Sequence, residues 1–387
     1  MAAPSMLSRS SDASAPLNEF GALLTDVCVA LQISGAQYQR AQGYYEEVGA
    51  WLAEETSPIA RLNPVIYPQG SMALQTTVRP WTDEDSYDLD LVLQVEPTSD
   101  APMTLYRQVQ RRLHERTEYR GILEQKRRCL CLNFEDDGAA FHMDILPARL
   151  DDVRGGTCIE VPDKRTPERW QPSNPIGYRE WFEARAAQLL LEKRVQLPLP
   201  SNAPAHAKGV LKQAVQLMKR RRDLMIRDTD LAPRSVVLTT LAAEYYHGEP
   251  DVMSALMSIL DAIAGSIEVA RPGRIVVCNP TNPDERFCES FATDARYEAF
   301  TQYIARFRSE LRALLAATGF PRIQASLGAM FGEKVTRRAL LEYEQRWSRA
   351  RANGTLIANA DNGLPGLLAA SHPIASRVVQ PHRFSGE

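Results

Sequence analysis

The sequence predicts an α/β (α+β) fold: a mixed sheet flanked by helices in a first lobe, an all-helical second lobe, and a cleft between them. Three observations predict it. Short apolar runs bounded by turn residues crowd into residues 65–146, whereas apolar side chains recur at three- and four-residue spacings over most of residues 205–350. A chain of 387 residues is long for one hydrophobic core, which favours two lobes. The third observation is the run Ser86-Tyr-Asp-Leu-Asp-Leu-Val-Leu-Gln-Val95, a strand carrying two aspartates where apolar side chains belong.

Taken in order, apolar periodicity predicts helices over 17–33 and 36–55, separated by the breaker Ser34-Gly35. Val65-Ile-Tyr67 reads as a short strand that Gln69-Gly70-Ser71 turns into a brief helical segment before Pro80. The aspartate strand follows, ends at Glu96-Pro97, and gives way to a helix over 102–116. Residues 123–134 and 140–146 read as two strands flanking Glu135-Asp-Asp-Gly138, whose Asp-Gly pair signals an antiparallel hairpin. From 148 to about 202 the chain is rich in Pro, Gly and charge, with one helical patch over 178–191, and reads as the crossing between lobes. Helices are expected over 205–227, 234–246, 250–267, 293–317 and 332–350. The expected division is a flexible tail over 1–16, a sheet lobe with its N-terminal helices and the crossing segment over 17–200, a helical lobe over 201–352, and a loosely held segment over 353–387.

Composition argues against several classes. The formal net charge of −3 lacks the basic excess of a protein that coats nucleic acid, so stable nucleic-acid binding is not required. Basic residues are concentrated locally, in Lys126-Arg-Arg128 and Lys219-Arg-Arg-Arg222, where a solvated face is the plain alternative to a binding patch. No apolar run is expected to reach the ~20 residues of a membrane span. Residues 1–16 lack the basic start and apolar core of a signal peptide, so no membrane partner and a cytoplasmic location are expected. Six cysteines lie scattered without a CxxC pair or a histidine cluster, which indicates reduced thiols rather than zinc ligands or a disulfide framework.

Alternation along the strand projects Asp88 and Asp90 to one face and Leu89, Leu91 and Leu93 to the other. In Phe141-His-Met-Asp-Ile-Leu146 it sets Phe141, Met143 and Ile145 against His142, Asp144 and Leu146, which makes Asp144 a third carboxylate in a mostly apolar strand. Carboxylates held close together repel unless a cation lies between them. Oxygen ligands favour Mg²⁺ or Mn²⁺ over zinc, and three converging aspartates match a site for two ions ~3.5–4 Å apart. A phosphate cradle belongs nearby. Gly70-Ser71 offers one: a glycine that lets the backbone approach closely, with a hydroxyl and amides for phosphate oxygens.

Gly70-Ser71, Asp88-x-Asp90 and Asp144 together resemble the motif set of the DNA polymerase beta-like nucleotidyltransferases. The run Tyr67-Pro-Gln-Gly-Ser-Met-Ala-Leu-Gln-Thr-Thr-Val-Arg-Pro80, with Tyr87-Asp-Leu-Asp-Leu-Val92, resembles more narrowly the bacterial CD-NTases, relatives of cyclic GMP-AMP synthase and oligoadenylate synthase. The likeness continues into the helical lobe at 214–223, at 233–242 and at Asn279-Pro-Thr-Asn-Pro283. It implies a polymerase beta-like fold and a metal-dependent reaction that joins NTPs, ATP or GTP, into a cyclic di- or trinucleotide with release of pyrophosphate. It further implies that an effector protein reads this product in anti-phage defence.

By position, the resemblance implies that Asp88 and Asp90 bridge both ions and that Asp144 completes the ion activating the attacking ribose hydroxyl. It implies that Lys219 and Ser235 join Gly70 and Ser71 in binding the nucleotide. The residues themselves also permit Lys219 as one more exposed base and Ser235 as a plain helix cap. The chain departs from the family in two places: Gln75 stands where glycine is common, and Thr82-Asp-Glu-Asp85 lengthens the approach to the aspartate strand. Two rival functions remain open. One is a non-cyclising nucleotidyltransferase acting on RNA, a protein or a small molecule; the other is a nucleic-acid or nucleotide sensor that uses the basic stripe from Lys219 to Arg222, with inert carboxylates.

Overall fold

The computed structural model describes residues 14–80, 87–136, 139–192, 208–352, 356–358, 365–367 and 377–378. Helices α1 (Ser14–Ala30) and α2 (Gly35–Ala53) lie where periodicity expects them. Ser34 caps α2 reciprocally: Gln37 N–H donates to its Oγ at 3.1 Å, and its own N–H donates to the Gln37 carboxamide oxygen at 2.8 Å. A 3₁₀ turn (Ala60–Leu62) leads to β1 (Val65–Gln69), the one-turn α3 (Gly70–Ala73) and the aspartate strand β2 (Tyr87–Val95). Next come α4 (Pro102–Glu115), α5 (Thr117–Arg120), β3 (Leu123–Gln125), β4 (Leu130–Asp136) and β5 (Ala139–Leu150). β6 (Ile159–Val161), β7 (Gln171–Ser173) and α6 (Pro175–Glu192) fill the expected crossing segment.

The sheet runs in the order β1-β2-β5-β4-β3, with β6 and β7 continuing from β5. β2 and β5 are parallel neighbours, so the chain between them must cross over, which it does through α4, α5 and the β3/β4 hairpin. The other pairs are antiparallel. Leu89, Leu91 and Leu93 of β2 and Phe141, Met143 and Ile145 of β5 pack with Val48 and Leu52 of α2 and Leu105, Tyr106 and Val109 of α4. That core takes one face of the two central strands and leaves Asp88, Asp90 and Asp144 on the other.

Residues 123–134 are two strands rather than the single one expected. Lys126-Arg-Arg128 forms the turn between them, with Lys126 N–H donating to the Cys129 carbonyl at 3.0 Å. The basic side chains leave the sheet because Asp163 attracts them: Arg127 reaches its carboxylate at 2.5 and 2.8 Å and Arg128 at 2.8 Å.

The helical lobe comprises α7 (Val210–Met225), α8 (Ser235–Tyr245), α9 (Val252–Ala270), α10 (Asp294–Leu315), α11 (Phe320–Phe331) and α12 (Glu333–Ala352). A hairpin of β8 (Cys278–Asn279) and β9 (Asn282–Arg286) and a 3₁₀ turn (Cys288–Phe291) interrupt it. Within the C-terminal segment, β10 (Leu356–Ala358) pairs with β11 (Pro365–Leu367) and β12 (Arg377–Val378). The rest of that segment, the tail up to residue 13, the 82–85 insertion, the Asp-Gly turn at 137–138 and residues 193–207 of the crossing lie outside the described residues.

Core membership cuts across the division expected at residue 200. Phe20, Leu23, Leu24, Val27 and Leu31 from α1 and its end, with Tyr178 and Phe182 from α6, are buried among the side chains of the helical lobe. A Cβ on Gly21 would lie 2.6 Å from Asp251 Oδ1, so α1 presses directly on the residue that caps α9. α9 itself corrects the reading that no run is long enough to span a bilayer: its 19 residues have a mean hydropathy of 1.6. Its apolar side chains, among them Leu256, Ile259, Leu260 and Ile263, are instead buried against α1, α7, α8 and α10.

Candidate active site

Strand register builds the floor of the site. Asp90 of β2 pairs directly with Asp144 of β5, and Asp88 pairs with His142. All these residues occupy the face opposite the leucine core, so alternation and register together gather the three carboxylates the sequence singles out. The cluster is electrostatically costly. Burial first, then the charges of Asp88 and Asp144, pushes the Asp90 carboxyl up to about 7. Burial and the charge of Asp144 raise Asp88 as well, with His142, Lys126 and Lys219 pulling the other way.

Gly70 follows β1 with φ +64, and a Cβ there would overlap the Asp90 carboxylate, so the position requires glycine twice over. The turn beyond it is tied at several points. Thr76 N–H donates to the Ser71 carbonyl at 2.9 Å, and the Ser71 and Thr77 hydroxyls lie 3.1 Å apart. Gln75 adopts φ 58, the left-handed conformation that glycine takes readily. Its carboxamide accepts from Lys212 Nζ at 3.0 Å, which holds a longer side chain in the backbone conformation a glycine would supply.

Lys219 and Arg222 lie one turn apart on α7 and both face the cleft. Lys219 is buried; its Nζ donates to Thr76 Oγ1 at 2.9 Å and to the Thr76 carbonyl at 3.4 Å. Burial first, then the nearby Arg222, lowers its ammonium to about 7. Ser235 opens α8 but is not its cap, a position held by Arg234; its Oγ accepts from Arg222 Nη1 at 2.9 Å.

Arg220 and Arg221 turn away from the cleft. Arg220 Nε donates to the Phe331 carbonyl at 3.1 Å, and Arg221 makes a two-point pair with Glu310, both bonds 2.7 Å. The helical period therefore splits the basic run, and Lys219, Arg220 and Arg221 are all buried, so the exposed nucleic-acid stripe considered for this segment does not exist.

A cleft of about 930 Å³ separates the sheet face from the helical lobe. Gly70, Ser71, Asp88, Asp90, Lys219 and Ser235 line it, whereas Asp144 does not. Asp144 is engaged by Lys126, whose Nζ lies 3.0 and 3.3 Å from its two carboxylate oxygens. Lys126 was legible only as part of a basic triplet; its place beside Asp144 follows from the β3/β4 turn. Arg179 and Arg286 were missed altogether. Both line the cleft, and neither has an ion-pair partner among the described residues.

The donor set suits hard divalent cations. Strand register sets three carboxylates on one face, and no described side chain donates a hydrogen bond to Asp90. Among the described residues no three His, Cys, Asp or Glu side chains are drawn together as a finished ion site. The backbone brings Asp144 into register, and Lys126 occupies its oxygens.

Comparison with known proteins matches this geometry. Residues 18–185 match the family described as SMODS, the Second Messenger Oligonucleotide or Dinucleotide Synthetase domain. A c-di-GMP synthase of Roseivirga ehrenbergii is 29% identical over 378 residues, covering 94% of this chain and 96% of the relative. The cyclic dinucleotide synthase CdnG of Bradyrhizobium diazoefficiens is 26% identical over 409 residues, 95% and 94% of the two chains. The solved structure of that CdnG in complex with GTP superposes with a TM-score of 0.69 at 25% identity, over 85% of this chain and all of the other. Escherichia coli DncV, in a 3'-deoxy GTP bound form, shares the fold at 18% identity with a TM-score of 0.55, over 85% of this chain and 90% of that one. Sheet order, cleft, motif residues and relatives bear out the resemblance to the bacterial CD-NTases, nucleotidyltransferases with the polymerase beta-like fold.

Proposed function

We propose that the chain joins nucleoside triphosphates, GTP foremost, into a cyclic dinucleotide with release of pyrophosphate. The observation that carries this reading is the pairing of Asp90 with Asp144 beside Asp88, with Asp88 and Asp90 lining a nucleotide-sized cleft. The choice of GTP rests on likeness to the c-di-GMP synthase and to the GTP complex of CdnG.

Asp88, Asp90 and Asp144 would hold two Mg²⁺ or Mn²⁺ ions, which when bound lower the pKa of the attacking ribose hydroxyl and offset the triphosphate charge. Gly70 leaves room for the Asp90 carboxylate against the backbone, and Ser71 would offer the triphosphate a hydroxyl. Lys219 would face the departing phosphates, and Arg222, which donates to the Ser235 hydroxyl, would add its charge beside them. The ribose oxygen attacks the α-phosphorus in line, losing its proton as the O–P bond forms and the bond to pyrophosphate breaks. A second such step on the linear intermediate closes the ring.

Mass spectrometry of products from all four NTPs with Mg²⁺ and no added acceptor tests this. Phosphatase-resistant cyclic dinucleotide is expected; products that form only when RNA, protein or a small-molecule acceptor is supplied would favour the non-cyclising transferase instead. The same reading makes the product a cytoplasmic signal for an effector protein in anti-phage defence. A host strain carrying the chain with its effector should lose protection when Asp88 and Asp90 become Asn; protection that survives would remove the synthase from the defence.

A further inference from the structure

We propose that Lys126 is a built-in counter-ion of the metal site: it holds Asp144 while no divalent cation is bound, must release it before Asp144 can act as a ligand, and thereby sets the cation affinity of the site. The inference rests on the metal assignment above and adds a residue outside the motif set.

Lys126 Nζ contacts both oxygens of Asp144, at 3.0 and 3.3 Å, and the two side chains are only 35% and 22% exposed, so solvent screens the pair less than a surface one. A fixed turn delivers the lysine. Besides the Lys126 N–H bond to Cys129, the Tyr106 hydroxyl bridges the carbonyls of Lys126 and Cys129 at 2.9 and 3.1 Å. Arg127 and Arg128 anchor the same turn on Asp163. Only the flexible side chain of Lys126 is left to move, and it has four methylenes along which to swing clear.

Asp144, in register beside Asp90, is the one carboxylate of the three that does not line the cleft. Lys126 spans both of its oxygens. An ammonium lying across both oxygens competes with a divalent cation for the same carboxylate, and at such separations the two cations repel each other. Exchange of one cation for the other opens Asp144 toward the cleft.

Binding of Mn²⁺ to the full chain without nucleotide, read from loss of the free-ion electron paramagnetic resonance signal, tests the inference. Lys126→Met should bind Mn²⁺ with a dissociation constant about tenfold lower than the unaltered chain, and Lys126→Arg, which keeps the charge, should stay within about threefold of it. Circular dichroism melts confirm that each variant folds. If Lys126→Met binds no more tightly while Asp144→Asn weakens binding, Lys126 is a structural contact and the inference fails alone. If Asp144→Asn also leaves Mn²⁺ binding unchanged, the metal assignment fails with it.

Discussion

Asp90 shares its strand face with Asp88, its register with Asp144, and its contact surface with Gly70. Each relation yields an expectation at the scale of single side chains. Asp88→Asn with Asp90→Asn should lower cyclic product at least about 10³-fold, measured by mass spectrometry. In chelator the same double variant should melt no lower than the parent, and higher if repulsion dominates, because it removes like charges that have no partner. Gly70→Ala should cost about 1–2 kcal/mol in urea unfolding through its left-handed backbone alone, with activity lost as the new methyl displaces the Asp90 carboxylate. The three aspartates were legible in the sequence because alternation is an intrinsic property of a strand. Gln75 was legible only as a departure from glycine; φ 58 and the bond from Lys212 explain how it substitutes. Lys126 was not legible as a site residue, since its position depends on a turn placed inside what reads as one continuous strand.

At the scale of elements, the β3/β4 turn is fastened to Asp163 and, through Arg127 Nη1 at 2.6 Å, to Glu289 of the helical lobe. Glu289 also accepts from Arg234 Nη2 at 3.1 Å, so one carboxylate ties the sheet lobe to the start of α8. Burial alone would raise the Asp163 carboxyl, but hydrogen bonds from Arg127, the Arg165 N–H and Arg128 hold it at about 2; the bond from Arg127 does most to hold Glu289 at about 2. Both carboxyls bind protons less readily folded than unfolded. Their contribution is therefore complete above the ordinary carboxylate range and is lost as pH falls toward 2. Asp163→Asn should cost about 1–2 kcal/mol at pH 7. It should also flatten the loss of stability on acidification from pH 5 to 2.5, measured by urea unfolding; an unchanged acid limb would show that this network does not stabilise the fold. Sequence periodicity found the long helices but not α11 or the β8/β9 hairpin. α11 begins at Gly319-Phe320-Pro321, which reads as a break, and the hairpin is made by polar partners: Asn279 Nδ2 and Ser173 Oγ donate to Glu285 at 2.7 and 2.8 Å.

Across the whole molecule, a helix from the start of the chain belongs to the core of the lobe built from its second half. Order along the chain does not reveal this, because an amphipathic helix shows which face it buries but not against what. Leu24, fully buried there, tests the arrangement. Leu24→Ala should cost about 2–5 kcal/mol, with amide exchange rising in α9 and α12 before β2 and β5. Exchange rising first in the sheet would contradict the packing of α1. The cleft depends on both lobes, since Asp88 and Asp90 come from one and Lys219, Arg222 and Ser235 from the other. Anomalous diffraction from crystals of the chain grown with Mn²⁺ and a non-hydrolysable GTP analogue examines that convergence most directly. The account predicts manganese peaks about 2–2.3 Å from oxygens of Asp88, Asp90 and Asp144, with the triphosphate between them and Lys219. Nucleotide bound in the cleft with no manganese at these carboxylates, or with Asp144 still held by Lys126 and taking no part, would contradict it.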